Sequence, residues 1–561
     1  MNCMSILEVH NLKKVYRLSD GGTKVALDGV SFQLEKGEIL GIIGRSGSGK
    51  TTLMRILRGV LPFDEGRILM GGVECVPDSD REVKRRLKDM TAIHLQRSFA
   101  FWSAPAIENV MRRLYALKTD DETILPPDDS IEYEELHDRA MVLLEMVGLE
   151  HKAELPAHTL SGGEKQRLLL ARQIAIEPEI LLLDEPLTMV SPDAKREMIN
   201  VIKKVHDTTG VSILLVSHMP KLHESLADRI IWIDEGRIIR EGDVRSITSA
   251  FMEGIEPVLP ITPLEDHIPI FKLSGVTKKY FNYNLSKVFE IRDIDLTIFR
   301  GEILGVIGPS GVGKTVLMRV LAGIELPDEG SLNFCTENGA VVDITKLGFA
   351  SAMIRQKIGI LHQEFGLTHH ATVEEIVRGR TKFKEMSEDD LKQLSKKLDL
   401  KESILDFVLR LADMPPDSRN AILDGFELGE DELIEIYAAI PQVHLDMDYV
   451  LEMFGLLGLS SEILQRRAYE LSGGERVRVA LAVELASKPE LLILDEPFGD
   501  LDPLTSRSIS NLLKEVNKRI GTSICVVSHD RELLAETTHR IILIKDGEIK
   551  REFADEELLN L

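Results

Sequence analysis

Two octapeptides carry the residue types needed to hold phosphate: Gly44-Arg45-Ser46-Gly47-Ser48-Gly49-Lys50-Thr51 and Gly308-Pro309-Ser310-Gly311-Val312-Gly313-Lys314-Thr315. Each follows an aliphatic run, Glu38 to Ile43 or Glu302 to Ile307, that reads as a buried strand, and each opens a helical pattern. In that setting the glycines let backbone N–H groups close on phosphate oxygens. The lysine reaches the outer phosphates and the threonine hydroxyl is a ligand for Mg²⁺. The expected cradle is therefore Gly44, Ser46, Gly47, Gly49, Lys50, Thr51 and Thr52 in the first copy, and Gly308, Ser310, Gly311, Gly313, Lys314 and Thr315 in the second. Two such loops, each on a strand end, predict two nucleotide sites in one chain.

A second pair of motifs keeps step with the first. Leu160-Ser161-Gly162-Gly163-Glu164 leads through an apolar helical run to the strand Ile180–Leu183 and Asp184-Glu185-Pro186. Leu471-Ser472-Gly473-Gly474-Glu475 leads likewise to Leu491–Leu494 and Asp495-Glu496-Pro497, and the serine-to-aspartate spacing is the same in both (184 − 161 = 495 − 472 = 23). A glycine-rich helix start offers N–H groups and a positive dipole end to an anion. LSGGE at this distance from four aliphatics and Asp-Glu-Pro resembles the signature and catalytic strand of ABC-type ATPases.

That resemblance implies an α/β fold: two tandem P-loop nucleotide-binding domains, each with a RecA-like core, an antiparallel β subdomain and a helical signature subdomain. It implies ATP and Mg²⁺ as cofactors, and pairing of the two domains within the chain, so that each signature caps the nucleotide of the other domain. Site one would combine Tyr16, Gly44 to Thr52, Gln96, Asp184, Glu185 and His218 with Ser472, Gly473 and Gly474. Site two would combine Tyr280, Gly308 to Thr315, Gln363, Asp495, Glu496 and His529 with Ser161, Gly162 and Gly163. By the same resemblance Tyr16 and Tyr280 stack on adenine, while Asp184 and Asp495 hold the metal through water. Gln96 and Gln363 touch metal and attacking water; Glu185 and Glu496 polarise that water. His218 and His529, expected at strand ends beside the acidic pair, reach the γ-phosphate.

The elements that must position these residues are partly legible. Glu8 to Leu12 and Val25 to Leu34 alternate and predict antiparallel strands, and Trp232 to Ile239 and Ile542 to Ile549 predict hairpins turning at Asp234-Glu235-Gly236 and Asp546-Gly547. The halves then diverge. The offset between them is 267 at the glutamines (363 − 96) and 311 at the signatures (472 − 161), so the second half carries 44 extra residues between Gln363 and Ser472. The surplus falls within about Thr381 to Met447, where Leu391-Leu394-Leu398 and Ile404-Val408-Leu411 have helical spacing, Pro415-Pro416 breaks the pattern, and Glu430 to Glu435 is acidic. It reads either as a solvated decoration of the helical subdomain or as a docking platform for a partner. Gly499-Asp500-Leu501-Asp502 ends in the aspartate that the family uses across its interface, whereas the first half has Ser191 in that place. The expected domains are 1–250 and 271–561, joined by a stiff connector over 251–270 that contains Pro257, Pro260, Pro263 and Pro269.

Composition excludes several classes. Lys+Arg 68 against Asp+Glu 92 gives a net charge of −24, which argues against a broad nucleic-acid footprint. Cys3, Cys75, Cys335 and Cys525 are scattered and form no metal motif; His94, His362, His369 and His370 lack companion ligands and read as ordinary histidines. No run of 18 apolar residues or leader pattern appears, so a cytoplasmic protein with no transmembrane segment is expected.

Among soluble tandem ABC proteins, a recycling factor would need a cysteine-rich cluster domain, a repair ATPase zinc modules, and a translation factor a long charged linker. Over its whole length the chain resembles the ATP-binding component of the methyl-coenzyme M reductase activating system of methanogenic archaea. The resemblance rests on two intact sites (GRSGSGKTT with LSGGEKQR, GPSGVGKTV with LSGGERVR), the short connector and the enlarged acidic region of the second half. It implies that ATP hydrolysis drives reductive activation of that enzyme's nickel cofactor, with the reductase and iron–sulfur proteins as partners and the region from Thr381 to Met447 as the docking element, one whose deletion should spare basal ATPase. The alternative is the fused cytoplasmic ATPase of a membrane importer, with permease subunits docking at Gln96 and Gln363.

Overall fold

The structure, a computed structural model, describes residues 5–17, 22–94, 101–187, 192–282, 287–309, 311–362, 366–368, 370–382, 384, 386–414, 419, 430–440, 445–497, 501–554 and 557. The chain forms two compact units: Met1–Ile255 with Asp502–Leu504, and Glu256–Leu501 with Thr505–Leu561.

In unit 1, β1 (Ser5–Arg17), β2 (Thr23–Glu35), β4 (Glu65–Met70) and β5 (Val73–Cys75) make an antiparallel sheet in the order β2-β1-β4-β5. The alternation seen in the sequence puts Val9 opposite Phe32 and carries Tyr16 to the end of β1, opposite Lys24. The second sheet contains β3 (Ile39–Ile43), β6 (Thr91–His94), β7 (Ile180–Asp184), β8 (Ser212–Val216), β9 (Arg229–Asp234) and β10 (Arg237–Gly242), ordered β10-β9-β3-β8-β7-β6. Its strands are parallel except β10. Every residue of β3, β7 and β8 is buried. That is why these strands read as unbroken aliphatic runs: helices cover both faces of a parallel sheet, and no side chain is spared for water.

Unit 2 repeats the plan. β11 (Pro269–Asn282), β12 (Lys287–Phe299), β14 (Glu329–Cys335) and β15 (Val341–Asp343) form the antiparallel sheet β12-β11-β14-β15. β13 (Ile303–Ile307), β16 (Ile358–Leu361), β17 (Leu491–Asp495), β18 (Ser523–Val527), β19 (Arg540–Lys545) and β20 (Glu548–Ala554) form the other, ordered β16-β17-β18-β13-β19-β20. In both units the strand that feeds the phosphate loop lies beside the strand that precedes the histidine, with the Asp-Glu strand next to that one. The ends of parallel strands thus gather three chemical elements at one edge.

The last hairpin of unit 1 braces its phosphate loop. Glu235 and Gly236 have φ of 46° and 77°, the left-handed pair that a tight two-residue hairpin turn requires. Gly236 N–H donates to Ser48 O at 3.2 Å, and its carbonyl accepts from Asp28 N–H at 2.9 Å. A Cβ there would lie 2.8 Å from Ala26 O, so the turn accepts only glycine.

The inserted region of unit 2 folds into the helices Glu388–Leu398, Glu402–Leu411 and Glu430–Ala439. They do not merely decorate the surface. Val408, Leu411, Met414 and Leu433 share a core cluster with Leu317, Val320 and Ile344, close to the phosphate-loop helix Lys314–Leu321. Leu391, Leu394, Leu405 and Ile440 pack on Ala352. Ile404, on the apolar spacing in the sequence, is instead 44% exposed, because Leu405 and Leu409 take the inward face of this short helix. A deletion of the whole region would therefore remove core of unit 2, so these helices are more than a detachable platform.

Where the chain passes between units, the helix Val244–Glu253 carries Phe251 into the interior against Trp232, with ring centroids 5.6 Å apart. Beyond it the chain is strapped to unit 2: Asn511 accepts from Leu259 N–H at 3.0 Å and donates to Pro257 O at 2.9 Å, and Lys514 donates to Leu259 O at 2.8 Å. Among the described residues, no helix is long and apolar enough to cross a membrane.

Candidate active sites

Both phosphate loops run from the end of their central strand into a helix, Lys50–Leu57 or Lys314–Leu321, whose N-cap glycine is left-handed (Gly49 φ 102°, Gly313 φ 108°). Lys50 Nζ folds back onto the carbonyls of Gly44 (2.8 Å) and Arg45 (2.7 Å), and Lys314 Nζ onto those of Gly308 and Pro309 (both 2.9 Å). Burial pushes both ammonium groups below the usual lysine range, and the charges of Glu185 and Glu496 act against that shift. Lys50 Nζ also donates to Ser48 Oγ at 3.4 Å; an ammonium held by neutral oxygens has its charge uncompensated by contact, which suits it to meet anionic phosphate oxygens.

Asp184 and Asp495 end β7 and β17 and are nearly fully buried. Burial raises the Asp184 carboxyl to about 6, opposed by a hydrogen bond from Thr51; Asp495 is raised likewise, opposed by Thr315. Asp184 Oδ1 and Asp495 Oδ1 are buried without a hydrogen-bond partner. A buried carboxylate oxygen with nothing to bind, next to a threonine hydroxyl on a phosphate loop, is a hard-oxygen donor set that fits a small divalent cation completing its shell with phosphate and water.

Glu185 and Glu496 adopt left-handed backbone conformations (φ 51° and 53°), which non-glycine residues rarely do. The strain is held by Glu185 N–H donating to Val216 O (2.9 Å) and Glu496 N–H to Val527 O (3.0 Å). The Glu185 carboxylate accepts from His218 Nδ1 (2.8 Å), His218 N–H (3.0 Å) and Ser217 Oγ (3.0 Å). His529 Nδ1 stands 3.2 Å from Glu496 Oε1. Burial, the largest single influence, works to raise both glutamates, but their histidines together with Lys50 or Lys314 and, for Glu185, Ser217 hold them below the usual range, so both remain ionised acceptors at neutral pH.

Tyr16 lies beside the first loop, its hydroxyl 3.4 Å from Thr52 Oγ1 and its ring under Lys14 Nζ (5.7 Å); Tyr280 hydrogen-bonds Glu325 and lies under Lys278 Nζ (5.7 Å). Ser161 and Ser472 are N-caps of the helices Gly162–Ile174 and Gly473–Leu485, each in a reciprocal capping box with Glu164 or Glu475. The box spends the glutamate on the cap and leaves Gly162 with open space around its Cα. Gln96, Gln363, Ser310, His369, Ser191, Gly499 and Asp500 lie outside the described residues.

Each unit thus gathers its lysine, its Asp-Glu pair and its histidine at one sheet edge, and in unit 1 Tyr16 stands beside the loop. Sequence reasoning missed Ser217, whose hydroxyl buttresses Glu185; the signal was the Ser-His pair repeated as Ser528-His529.

A phosphate loop on a parallel sheet, with an acidic pair on a neighbouring strand and a capped Ser-Gly-Gly helix start, defines a P-loop nucleoside-triphosphatase of the ABC class. The ABC transporter family profile matches residues 27–188 and 291–499, and the chain belongs to this family. It is an ABC-type ATPase, built as two tandem cassettes. It is 41% identical to an uncharacterized ABC transporter ATP-binding protein of Methanocaldococcus jannaschii, over 99% of this chain and 96% of that one. A second such protein of the same organism is 32% identical over 100% of this chain and 97% of its own length. An archaeal ribosome recycling factor, solved in complex with a ribosomal stalk protein, aligns with a TM-score of 0.55 over 98% of this chain and 91% of its own, at 18% identity. At that identity the likeness concerns the fold alone.

Proposed function

We propose that the protein uses two composite ATP sites as one clamp, each closed by the signature of the other cassette, and that closure does mechanical work on a partner complex. The observation that carries this reading is the repetition, in both units, of an ionised glutamate locked to a histidine beside a partnerless buried aspartate oxygen. Thr51 with Asp184, and Thr315 with Asp495, would hold Mg²⁺, which when bound neutralises charge on the phosphates. Glu185 and Glu496 would accept the proton of the attacking water, each oriented by its histidine; Lys50 and Lys314 would turn from their own carbonyls to the phosphates. Ser161-Gly162-Gly163 and Ser472-Gly473-Gly474 would offer helix N-terminal N–H groups to the γ-phosphate of the opposite site. Tyr16 and Tyr280 would stack on adenine, and Gln96 and Gln363 would sense the metal and the water.

The driven process we favour is reductive activation of methyl-coenzyme M reductase. Its support is the pair of intact sites, the enlarged acidic region of the second half, and near-full-length relatives in Methanocaldococcus jannaschii. The test uses the chain with Glu185→Gln and Glu496→Gln together. It should lose ATP turnover by at least about a hundredfold while retaining ATP, and when tagged in native cells should co-purify with the reductase and iron–sulfur proteins. Unchanged turnover removes the site assignment; co-purification with membrane permeases instead establishes the importer reading.

A further inference from the structure

β16 ends at Leu361 and His362 follows it; in the sequence the residue before the glutamine is His362 in the second half and Leu95 in the first. His362 Nε2 donates to the main-chain carbonyl of Asp413 at 2.8 Å. β16 runs parallel to β17 with Leu361 opposite Leu494, so His362 follows its strand where Asp495 ends the neighbouring one. One imidazole therefore stands between the proposed metal side of the second site and the inserted helices, since Asp413 follows the helix Glu402–Leu411 directly.

Asp413 is itself anchored. Its carboxylate pairs with Arg380 and, at 3.1 Å, with Lys384. Arg380 also binds Glu484 of the signature helix Gly473–Leu485 (2.8 Å), and Glu484 accepts from Ile360 N–H of β16 at 3.2 Å. Lys384 donates to the carbonyls of Ile358 (2.9 Å) and Arg355 (3.1 Å). An apolar contact would stabilise the inserted helices as well as this buried cluster does, because desolvation of the charges offsets their attraction. What directional pairs add is a fixed orientation of insert, β16 and signature helix at the end of β16.

We propose that His362 is a positioning residue of the second ATP site, tying the end of β16, next to the Asp495 strand, to the inserted helices so that a shift of those helices alters turnover. The proposal rests on the reading of Asp495 and Glu496 given above. In the sequence of the first half Leu95 stands in place of this histidine, and the insertion is absent.

The test is steady-state ATP hydrolysis by the full chain. His362→Leu installs the residue type that precedes Gln96, and His362→Gln keeps a donor able to reach the Asp413 carbonyl. The leucine variant should lose about three- to tenfold in kcat, the range for one buried hydrogen bond. Its KM for ATP should stay within about twofold, and the glutamine variant should recover most of kcat, a rescue that a packing role would not produce. If the leucine variant does not fold, His362→Asn, polar but too short to reach that carbonyl, takes its place with the same expected loss. A leucine or asparagine variant with parental kcat, or a glutamine variant as slow as they are, overturns the proposal. Asp495→Asn is measured alongside: parental turnover there overturns the site reading itself, whatever His362 does.

Discussion

Leu411 tests whether the inserted helices belong to the body of unit 2. It closes the helix Glu402–Leu411, has no solvent exposure, and lies in the cluster that holds Leu317, Val320 and Ile344. Truncating a leucine in such a place costs its transfer free energy plus a cavity that its neighbours only partly fill, about 2–5 kcal/mol. For a unit of about 300 residues each kcal/mol moves Tm by just under about 2 °C, so a loss of about 3 kcal/mol in Leu411→Ala lowers the unit 2 transition by about 5 °C. Ile404 is the internal control, on the same helix but 44% exposed, and Ile404→Ala should stay within about 0.5 kcal/mol of the parent. A chain of two units is not a two-state system, so two probes are needed. Both tryptophans, Trp102 and Trp232, belong to unit 1. Thermal melts followed by far-ultraviolet circular dichroism report both units, and tryptophan fluorescence reports unit 1. The expected result is a lowered dichroism transition with the fluorescence transition nearly in place. A Leu411→Ala chain that melts like Ile404→Ala would refute the assignment of the insertion to the core.

Two further outcomes follow from buried groups. Asp406 is fully buried and accepts from Gly348 N–H (3.0 Å), Ser351 Oγ (2.8 Å) and Arg410 (3.1 Å), besides pairing with Arg355. Asp406→Ala leaves two buried guanidinium groups without their carboxylate and should cost about 3–5 kcal/mol in the dichroism transition; parental stability would mean that the arginines find other partners. His223 is buried beneath Gly41, and burial pushes its pKa down to about 4, against the hydrogen bond it makes to Ser217 O (2.9 Å). Its folded pKa lies below the unfolded value of about 6.5, so the unfolded chain takes up the proton first and stability falls as pH drops from about 6.5 to about 4, by up to about 3 kcal/mol. Above that window the ring is neutral in both states and contributes no slope. His223→Gln should flatten this part of the pH dependence of the fluorescence transition, leaving the separate share of His94, also lowered to about 4 by burial; an unchanged acid slope would exclude His223 as its source.

What the sequence determined by itself is whatever depends on neighbours along the chain. The loop octapeptides, the fully buried aliphatic strands and the Ser-Gly-Gly-Glu caps are set by contacts spanning a few residues, and repetition of all three at matched spacing made the tandem α/β cassettes legible. The turns at Gly236 and Asp546-Gly547 belong to the same class, because positive φ restricts which residues can stand there. The tertiary structure decided what depends on groups distant in sequence. That Ser217 donates to Glu185, that the glutamates are held left-handed by the strand ahead of the histidine, and that Asp184 Oδ1 is left without a partner follow from the order in which parallel strands pack. The inserted region is the sharpest case: its helical period was visible, but Ile404 and Leu405 exchange places between water and core, and an acidic composition gave no sign that Asp413 is bound by Arg380, Lys384 and His362. Amphipathic spacing in a ten-residue helix leaves its rotation uncertain by about one residue, and only the surface it packs against resolves it.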